Sequence, residues 1–118
     1  MERPKTSHII KPWGSFSQFT FNQVSTVKIL TCEPGQELSL QRHQHRSELW
    51  VALDQGACVE IDQIKLSPKV GEEIWIAAGV VHRLSCSSEQ KNPVRILEIS
   101  LGNFDEHDIE RLQDRYGR

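Results

Sequence analysis

The sequence predicts an all-β protein, a barrel or two-sheet sandwich, on three observations. Short strand-like segments recur along the whole chain, turn residues part them at short and regular intervals, and one segment alone carries helical periodicity. Many short strands with so little helix to cover them must pack on one another. The length of 118 residues suits a single domain, expected to span 1–118, with one modest core.

Taken in order, the expected strands are Gly14 to Phe21, Val24 to Glu33, Glu37 to His43, Glu48 to Leu53, Ala57 to Ile61, Ile64 to Leu66, Glu73 to Ile76, His82 to Cys86 and Arg95 to Leu101. Between them "EPGQ", "DQG", "SPKVGE", "AAGVV" and "EQKNP" each supply Gly, Pro, Asp or Asn for a turn. The helix is expected in "DEHDIERLQDR", with Asp105 as N-cap, Asp108 in the first turn, and Ile109, Leu112 and Tyr116 on one face. So short a helix is marginal alone and is expected to dock on the barrel.

The net charge of −2, with both signs spread along the chain, gives no basis for binding nucleic acid or an anionic membrane. Cys32, Cys58 and Cys86 are odd in number and lack CxxC spacing, so they are expected to be reduced and buried. The N-terminal "MERPKTSHII" has no long apolar stretch after its charges, and no window reaches the length of a membrane span. A cytoplasmic protein acting on a small soluble molecule is the expectation.

Chemistry concentrates in two motifs. In "LSLQRHQHRSELW", Leu38 to Trp50, strand alternation puts His43 and His45 on one face, and Glu48 follows. An HxH pair by itself is a weak signal. In "GEEIWIAAGVVHRLSC", Gly71 to Cys86, a turn, a strand, a second turn at Ala78-Gly79 and then His82 follow one another. Together the motifs supply three imidazoles and a carboxylate from neighbouring strands, a donor set that suits zinc, iron, manganese or nickel.

Both motifs match the cupin signature: a glycine, HxH, a carboxylate and a glycine, then G, a strand, (P/A)xG and a histidine. More narrowly, "KPWGSF" at Lys11 to Phe16, "LSLQRHQHRSELW", "IAAGVVHRL" and the C-terminal "DIERLQDRYGR" resemble the cupin domain of type II mannose-6-phosphate isomerases over almost the whole chain. That resemblance implies a cupin jelly-roll barrel with the short C-terminal helix. It also implies a metal-dependent isomerase interconverting mannose 6-phosphate and fructose 6-phosphate through an enediol. The family's domain is commonly fused behind a sugar nucleotidyltransferase that makes GDP-mannose. Nothing in these residues matches that enzyme, so guanylyl transfer is not expected here.

The implied ligands are His43, His45, Glu48 and His82, with Gln41 a lesser candidate because type I isomerases ligate through the glutamine of "LSLQRH". Glu48 joins the histidines only if the strand bulges between Arg46 and Glu48. Where the family reads HHHRAEHW this chain carries Leu49, expected on the face of His43 and His45. One divalent metal is expected, zinc first, with Mn, Fe, Co or Ni as alternatives. Glu98 and Arg46 are the expected catalytic residues, and Lys11, Arg83, Arg115, Tyr116 and Arg118 are expected to bind the sugar phosphate, the tail "DRYGR" folding over the barrel mouth. Trp13, Trp50 and Trp75 are expected to pack rather than stack on sugar. The apolar "SHIIKPWGSFSQF" is expected to be exchanged in a homodimer. The competing readings are a sugar-binding cupin without catalysis and a metal-dependent oxygenase.

Overall fold

The structure, a computed structural model, describes residues 2–117. Eleven strands run β1 (Ser7–Lys11), β2 (Gly14–Gln18), β3 (Ser25–Cys32), β4 (Leu40–Arg42), β5 (Arg46–Ala52), β6 (Ala57–Ile61), β7 (Ile64–Leu66), β8 (Glu73–Ile76), β9 (His82–Cys86), β10 (Val94–Gly102) and β11 (Glu110–Gln113). Two sheets, ordered β3-β10-β5-β8 and β11-β4-β9-β6-β7, face each other, and β1 pairs with β2 in a separate hairpin. Among the described residues the strand ladders are all antiparallel.

Alternation decides what lies between the sheets. Trp50 and Ala52 of β5, Ile74 and Ile76 of β8, Ile96 of β10, Val59 of β6 and Leu84 of β9 point inward and form the main core with Cys32 and Cys86. A smaller cluster of Leu49, Ile99 and Leu101, with Phe19, Trp75 and Leu97 against it, covers the back of the first sheet. The β6–β7 hairpin turns on Asp62 and Gln63, both with positive φ (47° and 72°), the signature of the two-residue turn that suits strand twist. The three cysteines are free; Cys32 and Cys86 are buried, and Cys58 is only partly so.

The expected C-terminal helix is absent. Residues 105–109 form turns, and Glu110–Gln113 is instead a strand that pairs with β4. Leu112 is 45% exposed, so the 3.6-residue pattern marks no buried stripe. The open edge of β4 takes these residues as a ladder partner, and tertiary pairing overrides a weak local preference. Among the described residues no helix is long and apolar enough to cross a membrane.

Candidate metal centre

The strand expected to carry both histidines ends at Arg42, and residues 43–45 bend before β5 begins at Arg46. Alternation therefore stops applying between His43 and His45. His43 turns inward and is buried, whereas His45 is exposed and lies outside the donor cluster. The bend also changes parity, so Glu48 faces inward with no bulge: Arg46, Ser47 and Glu48 pair in unbroken register with Gly102, Leu101 and Ser100. Leu49 consequently points to the opposite face of the sheet, into the cluster with Ile99 and Leu101. Its expected place beside His43 is corrected, and the side chain that stands where the family has histidine is remote from the donors.

The bend is held from several sides. The Asp108 carboxylate accepts from the backbone N–H groups of Gln44 and His45, each at 2.9 Å. Gly79 N–H donates to the His43 carbonyl at 2.6 Å. Gly102, at φ 113°, packs so closely that a Cβ there would sit 2.8 Å from the His45 carbonyl oxygen.

His43, Glu48 and His82 bring one donor atom each within 4.8 Å of one another, all three residues being buried. His43 Nδ1 donates to the Asp108 carbonyl (2.8 Å) and His82 Nδ1 to the Val80 carbonyl (2.9 Å). A carbonyl only accepts, so each Nδ1 carries a hydrogen and, in a neutral ring, each Nε2 is a bare lone pair. Those lone pairs lie 3.5 Å and 3.1 Å from Glu48 Oε1. Acceptors so close repel unless a proton or a metal cation lies between them. Among the described residues, the buried side-chain nitrogens and oxygens lacking a hydrogen bond are Arg46 Nε, Glu48 Oε1, Trp50 Nε1 and His82 Nε2, and they gather here. Two oriented imidazoles and a carboxylate thus fit a divalent metal, with second-sphere carbonyls fixing the rings.

Charge is distributed accordingly. Burial pushes the His43 pKa below its ordinary value, favouring the neutral ligand form. Burial opposes ionisation of Glu48, but the adjoining His82 imidazole and Glu98 carboxyl outweigh it and hold its pKa down at about 2. Burial and the neighbouring Glu48 raise Glu98 to about 8. Ser100 Oγ stands between the two carboxyls, at 3.5 Å from Glu48 and 3.4 Å from Glu98. Arg46, also buried, places Nη2 3.3 Å from His43 Nε2 and Nε 4.0 Å from Glu48 Oε2. Gln41 faces His82 across the β4–β9 pair, with its side-chain oxygen accepting from Ser39 Oγ (2.9 Å).

The described residues expected to hold substrate lie elsewhere. Lys11 is in the exposed β1–β2 hairpin. Arg83 faces outward between Glu37 (3.6 Å) and Glu60 (3.5 Å). Arg115 donates to the Gly35 carbonyl (2.6 Å) and Tyr116 to the Gln36 side chain (2.5 Å), so these two residues clasp the turn beside Cys86, at the end of β9 remote from His82. The tail does not cover the mouth, and Arg118 lies outside the described residues. Sequence reasoning missed Asp108, read as a helix residue, and Lys28 and Arg111, which line a pocket beside Arg46. Only strand register identifies those two, by setting Lys28 opposite Glu98 and Arg111 opposite Gln41.

Known proteins resemble this chain in sequence and in fold. The chain is 37% identical over 111 residues to the alginate biosynthesis protein AlgA of Pseudomonas aeruginosa, covering 93% of this chain and 23% of that one. It is 38% identical over 112 residues to the mannose-1-phosphate guanylyltransferase of Escherichia coli, with the same coverage. It therefore spans about a quarter of the length of these curated relatives. A solved cupin protein from Bacteroides fragilis superposes with TM-score 0.59 at 19% identity, covering 71% of this chain and 74% of that one. The capsular polysaccharide assembling protein CapF of Staphylococcus aureus gives 0.67 at 15%, over 92% of this chain and 34% of that one. These likenesses show a cupin fold. The family described as mannose-6-phosphate isomerase C-terminal matches residues 2–114, and the chain belongs to that family of cupin domains.

Proposed function

We propose that this chain is a metal-dependent mannose-6-phosphate isomerase, converting the aldose to fructose 6-phosphate in the cytoplasm. The observation that carries the reading is the cluster of His43, Glu48 and His82 with a second buried carboxyl, Glu98, beside it. His43 Nε2, His82 Nε2 and Glu48 Oε1 would hold the metal, with Gln41, paired with His82 across β4–β9, as a further candidate. Zinc matches the donor set, and Mn, Fe, Co or Ni would be accepted. A divalent metal there supplies a Lewis acid for the sugar's C1 and C2 oxygens.

The chain's own residues do the rest. In its ionised form Glu98 takes the proton from C2 of the open-chain aldose and returns it to C1, while the hydroxyl proton of O2 passes to O1, giving the ketose with no net gain or loss of protons. Arg46, fixed by the Asp105 carbonyl (3.1 Å), places a permanent positive charge beside the developing enediolate. Ser100 orients Glu98. A coupled assay of mannose 6-phosphate conversion tests the reading, with metal-stripped and zinc-loaded protein. Turnover restored by zinc and lost in Glu98→Gln is expected; binding without turnover would contradict it.

The same reading includes a homodimer. Ile10, Trp13 and Phe21 in and after the hairpin are 81%, 73% and 73% exposed, and Val27 and Ile29 on β3 continue the apolar surface at 58% and 57%. So much exposed apolar area fits a second copy exchanging or covering the hairpin. Light scattering at micromolar concentration is expected to give twice the chain mass; a monomer would contradict the dimer.

A further inference from the structure

Among the described residues the arginines outside this region are ion-paired: Arg3 with Glu73, Arg42 with Glu110, Arg83 with Glu37 and Glu60, Arg95 with Asp54, and Arg115 with Glu37. Among the described residues, Lys28 and Arg111 form no ion pair. Both line one concave pocket of about 570 Å³ together with Arg46, Phe104 and His107, and Glu106 is its one carboxylate. Lys28 and Arg111 are both exposed, and cations brought from separate sheets to one concave surface focus a positive potential that draws an anion.

The pocket adjoins the metal centre at Arg46, which lines it and places Nη2 3.3 Å from His43 Nε2. Lys28 lies across β3–β10 from Glu98, and Arg111 lies across β11–β4 from Gln41, which in turn lies across β4–β9 from His82. Both cations therefore stand on the faces that carry the catalytic groups, one from each sheet. Arg46 joins the two spaces. It is 8% exposed, and its Nε is a buried donor with no hydrogen bond. Phe104 holds the cations in place, with Lys28 Nζ 4.2 Å and Arg46 Cζ 4.5 Å from its ring centroid.

We infer that this pocket binds the phosphate monoester of the substrate, with Lys28 and Arg111 as the two cations that grip it. The inference rests on the isomerase reading for the identity of the sugar, but the pocket's preference for a phosphate dianion does not. It differs from the expectation drawn from sequence, in which Lys11, Arg83, Arg115, Tyr116 and Arg118 share that task.

Calorimetric titration of the zinc-loaded chain with inorganic phosphate, mannose 6-phosphate and free mannose tests it, on wild type, Lys28→Gln, Arg111→Gln and Arg83→Gln. Each of the first two variants is expected to weaken phosphate and mannose 6-phosphate binding by about tenfold, since a charge-assisted hydrogen bond is lost. Zinc content and mannose binding should not change, and Arg83→Gln should behave as wild type. The inference is overturned if wild type binds no phosphate, if Lys28→Gln and Arg111→Gln bind it as wild type does, or if Arg83→Gln loses it equally. Turnover with an unchanged KM in Lys28→Gln and Arg111→Gln would sink the pocket and leave the isomerase. Phosphate binding that depends on Lys28 and Arg111, with no turnover by wild type, would sink the isomerase and leave the pocket.

Discussion

The two ends of the sandwich are built on opposite principles. At one end Cys32, Val59, Leu84, Cys86 and Ile96 fill the space between the sheets with apolar atoms, and Arg115 and Tyr116 close the adjoining turn. At the other, His43, Arg46, Glu48, His82 and Glu98 are buried together, several of them without full hydrogen bonding. Same-strand neighbours make the contrast plain: β9 begins with His82 and continues inward through Leu84 and Cys86. The lesson is a division of labour. Apolar burial contributes roughly 25 cal/mol per Å² and stabilises the fold, which lets the far end hold groups that repel one another.

Substitutions can break that comparison at either end. The largest effect is expected from Glu48→Gln, which keeps shape but removes the anion: zinc affinity should fall on the order of a hundredfold or more, with activity falling alongside it, measured by metal analysis and the coupled assay. The apolar end should respond in the other currency. Leu84→Ala is expected to lower unfolding free energy by about 2–5 kcal/mol in denaturant titration, with one metal still bound per folded chain. Loss of metal at unchanged stability in that variant would contradict the division.

Smaller changes sharpen it. Leu49→His restores the residue the family carries, yet it points into the cluster with Ile99 and Leu101, so it should gain no metal affinity and lose roughly 1–3 kcal/mol of stability. Asp108→Ala removes the acceptor for two backbone N–H groups of the His43–His45 bend. A cost of about 1 kcal/mol and a roughly tenfold weaker zinc site are expected. Arg115→Ala, at an exposed ion pair, should change stability by less than about 1 kcal/mol and leave zinc binding untouched.

Legibility from sequence followed the same physical line. Strands β6 to β9 are readable to the residue, because period-two alternation runs unbroken between turn residues such as Asp62 and Gly71. His82, Glu48 and His43 are readable as donors for the same reason that the cupin pattern is. What fails is anything set by a partner segment. An inward His45 requires the strand to continue past Arg42; Asp108, more than sixty residues later, holds the bend that turns it out. The C-terminal segment shows a helical spacing, but its fate depends on the free edge of β4. Lys28 and Arg111 carry no local mark at all, since their shared pocket exists only once two registers are known.

The central claim is that His43 and His82, and not His45, share a metal with Glu48. Zinc stoichiometry on folded His43→Ala, His45→Ala and His82→Ala chains tests it most directly. The account predicts one zinc per chain in His45→Ala, as in wild type, and loss of zinc in the other two. Zinc lost from His45→Ala and retained by His43→Ala would contradict it.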